Sequence, residues 1–189
     1  MPDLLVPVFD LDGTLLDSDE ALTAPFVALG VDPEAVTYGR LLADECARLG
    51  VAVEDYLAAY DVHAAAPYPG VEDLLGRLDR WALCSNKGGP SGRAELARLG
   101  WAPAVALFAD TFAGPKRLGP VLDALGLPAH AVVFVGDTAH DRLCAEAVGA
   151  TFLLAGWNPR AVATAQPGDV VLATPLDVLD LLDQQDQRP

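Results

Sequence analysis

The sequence predicts an α/β fold: a doubly wound parallel sheet with helices on both faces and a small α-helical segment inserted after the first strand. Three observations carry this prediction. Residues 4–9 and 131–135 are short, almost wholly apolar runs, the pattern of strands buried on both faces. From Val71 onward such runs alternate with helix-like stretches through short connections, as a parallel sheet with crossover helices requires. Between them, residues 17–66 are rich in Ala and Leu, lack β-branched runs and are punctuated by Gly30, Pro33 and Gly50.

Taken in order, the first strand spans residues 4–9 and ends in Asp10. The stretch 17–66 reads as a few short helices with no strand, its helical spacing plainest over residues 40–49. Pro67-Tyr68-Pro69-Gly70 is a strong break. A helix follows at 71–80, a strand at 81–84, a helix at 90–99 and a strand at 107–109. Then come a helix at 118–125, the clearest strand at 131–135, a helix at 138–148, a strand at 151–154, and a last strand and helix. The expected organisation is a core of residues 1–16 and 67–184, a helical cap at 17–66 and a polar, frayed tail at 185–189.

The length, 189 residues, suits one core with a small inserted module, and 52% apolar residues argue for a packed interior. No apolar run approaches a membrane span. Residues 1–9 carry Asp3 and lack a basic flank or a small-residue cleavage site, so they do not read as a signal peptide. Cys46, Cys84 and Cys144 form no CxxC pair, which points away from zinc and disulfide frameworks and towards a reducing cytoplasm. The net charge is −15, from 12 basic and 27 acidic residues, and it disfavours nucleic acid and anionic membranes as partners. Any anion site must be a local exception built from a metal, helix N-termini and a few placed cations. Only Lys87 and Lys116 are lysine, so their positions carry weight.

In open parallel sheets, ligands bind outside the carboxyl ends of the strands. Asp10 follows the first strand, Ser85 the second, and Asp137 the strand at 131–135. The three converge on one crevice, and Lys116 reaches it from its Gly-Pro-Lys loop. Taken singly, each residue has a plainer reading: a helix cap or turn for the aspartates and Ser85-Asn86, and a solvated loop charge for Lys116. Together, Asp10, Asp12, Asp137 and Asp141 crowd four carboxylates into a small volume, and like charges at such range need cations to offset them. A hard divalent cation, Mg2+, together with Lys116 is the natural solution. Asp10 and Asp137 suit direct ligation, with the backbone carbonyl of Asp12 as a further oxygen. Asp141, one helical turn after Asp137, is placed to hold a coordinated water.

These residues resemble the motifs of the haloacid dehalogenase-like hydrolase superfamily, in its phosphoglycolate-phosphatase-like branch with a small helical cap. Phe9-Asp10-Leu11-Asp12-Gly13-Thr14-Leu15 resembles the first motif and Ser85 in Cys84-Ser85-Asn86-Lys87 the second. Lys116 resembles the third, and Gly136-Asp137-Thr138-Ala139-His140-Asp141 the fourth. Tyr68-Pro69-Gly70-Val71 resembles the return from the cap. The third motif departs from the pattern, because Lys116 is followed by Arg117-Leu118-Gly119 rather than the common proline.

The resemblance implies a Rossmann-like core and a magnesium-dependent phosphatase acting on a small phosphorylated metabolite, as a monomer or homodimer. It implies that Asp10 is the nucleophile of an aspartyl-phosphate intermediate and that Asp12 is the general acid and base. Lys116 and Ser85 would hold the phosphoryl oxygens, with Thr14 counted among the phosphate-binding residues and ordering the loop beside them. Asn86 and Lys87 extend the second motif and read either as substrate contacts or as a capping residue and a surface charge. His140 reads as a supporting or solvent-facing group, and His63 and His130 as structural. Arg40 and Arg48, the only cations of residues 17–66, are candidates to bind a substrate carboxylate.

Other activities fit less well. A carbon–halogen dehalogenase would need neither Asp12 nor a metal, and a phosphonate hydrolase would need a cap lysine that is absent. A phosphosugar mutase shares all four motifs. A binding or regulatory protein on an inactive scaffold is disfavoured by the intact motif set.

Overall fold

The computed structural model describes residues 5–186. In chain order the elements are β1 (Val6–Phe9), β2 (Leu16–Asp17), α1 (Asp19–Ala28), α2 (Leu42–Leu49), α3 (Val53–Ala59) and β3 (Ala66–Pro67). They continue with α4 (Val71–Arg77), β4 (Ala82–Cys84), α5 (Gly89–Leu99), β5 (Val105–Leu107), α6 (Gly119–Leu125) and β6 (Val132–Gly136). The chain closes with α7 (Ala139–Glu146), β7 (Thr151–Ala155), α8 (Pro159–Val162), β8 (Val170–Leu172) and α9 (Asp177–Asp186).

Six strands form one sheet in the order β5-β4-β1-β6-β7-β8. Every pairing in it is parallel, with Val8 opposite Ala82 on one side of β1 and opposite Phe134 on the other. Because side chains alternate along a strand, adjacent residues feed different layers. Phe9, Leu83, Val133 and Val135 pack in one cluster with Val71, Leu74 and Leu96 from α4 and α5 and Val178 from α9. Val8, Ala82, Val132 and Phe134 pack in a second with Val121, Leu122, Cys144 and Ala145 from α6 and α7. This two-sided burial is why the central strands read as continuous apolar runs.

Pro7 would break a ladder in the middle of a central strand. It is tolerated because the register of β1 with β4 begins only at Val8, while Pro7 faces Val133 of β6.

Residues 19–59 build a separate helical body with its own small core of Phe26, Val36, Cys46 and Tyr56. Three expectations are corrected here. The helical stretch is not free of strand: Leu16 and Asp17 pair antiparallel with Pro67 and Ala66, clasping its entry and exit into a two-stranded ribbon. The strand expected at 107–109 is Val105–Leu107, since its ladder with β4 runs from Ala82–Val105 to Cys84–Leu107 and the chain then enters a 3-10 turn at Ala109–Thr111. Helix α9 continues to Asp186, into the stretch expected as tail; residues 187–189 lie outside the described residues.

Candidate active site

The carboxyl edges of β1, β4 and β6 meet in one crevice, and each strand delivers the residue that follows it: Asp10, Ser85 and Asp137. Asp10 is 5% exposed, Ser85 1% and Asp137 fully buried. The crevice opens onto a cavity of about 110 Å³. Asp10, Asp12, Ser85, Asn86, Lys116 and Asp137 line its sheet side, and Tyr38, Arg40, Tyr56 and Tyr60 line the side formed by the helical body.

Lys116 is buried, and its ammonium stands 2.9 Å from Oδ1 of Asp10 and 2.6 Å from Oδ1 of Asp141. Burial alone would drive its proton off, but Asp10 and Asp141 outweigh this and hold its pKa well above the ordinary lysine value. Asp141 is fixed by the N-terminus of α7, where it and Thr138 form a reciprocal capping box. Its Oδ2 accepts from the Thr138 backbone N–H at 2.9 Å and the Thr138 hydroxyl at 2.6 Å, which leaves Oδ1 for the site.

Asp10, Asp137 and Asp141 each offer a carboxylate oxygen within 4.8 Å of the others. Burial pushes the Asp10 carboxyl up to about 6, against the pull of Lys116 and with the charge of Asp141 adding to the rise. Burial and the charges of Asp141 and Asp10 push Asp137 up to about 8, in spite of Arg160 and Lys116. Oδ1 of Asp10 and Oδ1 of Asp141 are buried without an aligned hydrogen bond, although both lie close to the Lys116 ammonium. A cluster of hard oxygen donors with too little positive charge fits a divalent cation.

The structure places the other expected residues as follows. Asp12 is half-buried, and both its carboxylate oxygens face the Lys87 ammonium, at 2.9 and 3.2 Å. Thr14, expected among the phosphate-binding residues, is buried and does not line the crevice; its hydroxyl instead donates to Asp137 Oδ1 at 3.2 Å. Asn86 accepts from the Lys116 backbone N–H at 2.7 Å and donates to the Gly39 carbonyl at 3.0 Å, tying the Lys116 loop to the helical body. Lys87 is no surface charge, being 8% exposed. His140 supports the site from behind, its Nε2 lying 3.2 Å from the Lys116 carbonyl. His63 and His130 are exposed rather than structural. Arg40 lines the cavity mouth, whereas Arg48 is absorbed by Glu45 and the Ala35 carbonyl and does not line the cavity.

Sequence reasoning missed four contributors. Arg160 donates to Asp137 Oδ2 at 2.8 Å, pairs with both carboxylate oxygens of Asp19 at 2.9 Å, and lies 4.3 Å from the Tyr38 ring centroid. Asn158 caps α8 and donates to the Gly13 carbonyl at 2.9 Å. Its signal was present, since Asn-Pro at a strand end is a helix-start signature. Tyr60 and Glu95 gather around Lys87, and no local pattern announces either.

The fold and the site together define an α/β protein with a cation-ready carboxylate cluster at the carboxyl edge of its sheet, the place where such folds carry their chemistry. No protein-family model matches the chain. A phosphoglycolate phosphatase of Xanthomonas campestris pv. campestris is 32% identical over 184 residues, covering 81% of this chain and 83% of its own. Two solved structures share the fold. A haloacid dehalogenase-like family hydrolase from Streptococcus pneumoniae superposes with a TM-score of 0.74 at 21% identity, covering 96% of this chain and 99% of its own. A HAD-superfamily hydrolase, subfamily IA, variant 1, from Geobacter sulfurreducens PCA does so with a TM-score of 0.69 at 20% identity, covering 96% and 97%. The chain belongs to the phosphoglycolate-phosphatase-like branch of the haloacid dehalogenase-like hydrolases, and it is a phosphoric monoester hydrolase.

Proposed function

We propose that the protein is a magnesium-dependent phosphatase that hydrolyses a small phosphorylated metabolite through an aspartyl-phosphate on Asp10. The observation that carries this is the bridging of Asp10 and Asp141 by the buried Lys116 ammonium, within a triad of Asp10, Asp137 and Asp141 whose carboxylate oxygens lie within 4.8 Å of one another.

In the first step a carboxylate oxygen of Asp10 attacks phosphorus in line, and the bond to the ester oxygen breaks. Asp12 gives that departing oxygen a proton. In the second step Asp12 takes a proton from water, the water oxygen attacks phosphorus, and the acyl–phosphate bond breaks to release phosphate and restore Asp10. The covalent intermediate divides one difficult displacement into two easier ones. Lys116 and Ser85 hold the phosphoryl oxygens throughout, and fixed charge of this kind supplies most of the rate in phosphoryl transfer. Mg2+, held by Asp10, Asp137 and the Asp12 carbonyl, with Asp141 through water, would supply Lewis-acid neutralisation of the phosphoryl charge. Residues 17–66 act as a cap that closes over the cavity, sheds bulk water and meets the leaving group with Tyr38, Arg40, Tyr56 and Tyr60.

A panel of phosphate monoesters assayed with Mg2+, with and without chelator, tests the reading together with Asp10→Asn. The expected result is turnover of at least one ester that chelation abolishes and Asp10→Asn lowers by roughly 10³-fold or more. Turnover that survives either treatment would falsify it. Trapping phosphate on the intact chain by acid quench, and its absence in Asp10→Asn, checks the intermediate directly.

A further inference from the structure

Lys87 lines the same cavity as Asp10, Asp12 and Ser85, and the fold fixes it from several sides. Its ammonium makes three sets of contacts: the two carboxylate oxygens of Asp12 at 2.9 and 3.2 Å, the Tyr60 hydroxyl at 2.8 Å, and Glu95 Oε1 at 3.1 Å. Three donors are thereby used on three residues from three separate parts of the molecule. Asp12 belongs to the loop after β1, Glu95 to the middle of α5, and Tyr60 to the helical cap just beyond α3. Tyr60 closes the ring by donating to Glu95 Oε1 at 2.5 Å, and its aromatic face lies 4.9 Å from the same ammonium.

A purely structural role accounts poorly for this arrangement. Glu95 has no exposed surface, and its second oxygen, Oε2, is buried without a partner. A buried lysine–glutamate pair costs desolvation that well-packed apolar side chains of similar volume would avoid. Two carboxylates, Asp12 and Glu95, stand 2.9 and 3.1 Å from the buried ammonium of Lys87 and offset its charge. Glu95 thus anchors the lysine from behind, so that its charge points forward onto Asp12. Only Tyr60 comes from the cap, and its contact exists only while the cap rests on the core.

We propose that Lys87 is a positioning residue that aims the Asp12 carboxyl at the leaving-group oxygen, with Glu95 as its anchor and Tyr60 as the contact that completes the arrangement when the cap closes. This rests on the reading of Asp12 as general acid. A correctly aimed acid matters in proportion to how badly the departing oxygen needs a proton. An alkyl phosphate releases a strongly basic alkoxide, whereas p-nitrophenyl phosphate releases a stable phenolate that departs unassisted. Loss of aim therefore damages the first far more than the second, and a general loosening of the fold damages both alike.

The test is kcat/KM with Mg2+ for a series of phosphomonoesters graded in leaving-group acidity, from p-nitrophenyl to simple alkyl phosphates. It compares the parent protein with Asp12→Asn, Tyr60→Phe and the double variant Lys87→Met/Glu95→Gln, which removes both buried charges together. A positioned general acid contributes about 10²–10⁴-fold. The double variant is expected to lose roughly 10²-fold or more on alkyl phosphates and less than about 10-fold on p-nitrophenyl phosphate. Tyr60→Phe is expected to lose about 10-fold on the alkyl esters alone. If Asp12→Asn shows no such dependence on the leaving group, the assignment of Asp12 fails and this proposal falls with it. If Asp12→Asn shows it but the double variant lowers all esters equally, or none, the positioning role is overturned while the proposed mechanism stands. Should the double variant not fold, Tyr60→Phe decides: an unselective loss, or no loss, overturns the proposal.

Discussion

Gly13 shows how tightly single residues are specified around Asp10, the proposed nucleophile. Its φ is +77°, a conformation that L side chains rarely adopt. A Cβ there would stand 2.4 Å from Asp137 Oδ2 and 2.8 Å from the Arg160 guanidinium. Gly13→Ala therefore pays twice, in backbone strain of about 1–3 kcal/mol and in displacement of a carboxylate beside Asp10. The expected outcome is a Tm lowered by several degrees and kcat reduced by about 10²-fold or more, read by thermal melts and steady-state assay. Preserved kcat in a folded Gly13→Ala variant would show that Asp137 is not held where the chemistry needs it. The same residue marks a boundary of what the sequence could tell. Asp10, Asp12, Ser85, Lys116, Asp137 and Asp141 were legible because strand ends and motif spacing are local signals. Arg160 was not, because its carboxylate partner Asp19 lies 141 positions away, and Glu95 was hidden within an ordinary helix, 35 positions from Tyr60.

At the scale of elements, the helical body of residues 19–59 depends on one buried carboxylate. Glu45 of α2 is 4% exposed and accepts from the Thr37 backbone N–H at 2.6 Å, the Thr37 hydroxyl at 2.9 Å and Arg48 Nε at 2.9 Å. Those bonds fold the loop from Val36 to Arg40 over the cavity, where Tyr38, Gly39 and Arg40 form part of its wall. Glu45→Ala strips the loop of its acceptor and leaves Arg48 and the Thr37 N–H short of a partner, a loss of about 1–3 kcal/mol. In the proposed mechanism the core holds phosphorus and the helical body meets the leaving group, so KM is expected to rise several-fold while kcat falls less. An unchanged KM for every active ester would separate this loop from substrate binding. Burial raises the Glu45 pKa, but the bonds from Arg48 and Thr37 outweigh it, so the net shift is downward. A carboxyl with a depressed folded pKa contributes stability above its unfolded value, near 4.3, and loses it as pH falls through the folded pKa. Acid melts of Glu45→Gln should lack that portion of the decline. Element types were readable because apolar runs and glycine or proline breaks set them. The β2–β3 clasp was not, since two-residue strands carry no period and pair across the whole helical stretch.

For the whole molecule, the dominant physical fact is an excess of 15 negative charges gathered on a fold whose site must accept a phosphate. The sheet solves part of this by burying one of the chain's two lysines against Asp10 and Asp141, and Arg160 offsets Asp137 from the other side. What remains is a cluster with more carboxylates than cations, and a divalent ion bound there stabilises the folded state alone. At a concentration one hundred times its Kd, such an ion adds about 2.7 kcal/mol, which for a domain of this size raises Tm by roughly 5–10 °C. The measurement must hold ionic strength fixed, because simple screening of so acidic a surface also favours the compact state. Mg2+ is then expected to raise Tm above the value in NaCl of equal ionic strength, and Asp137→Asn to abolish the difference. Equal melting in the two salts, or an undiminished Mg2+ response in Asp137→Asn, would remove the cation from this site and leave Lys116 and Arg160 as its whole positive charge.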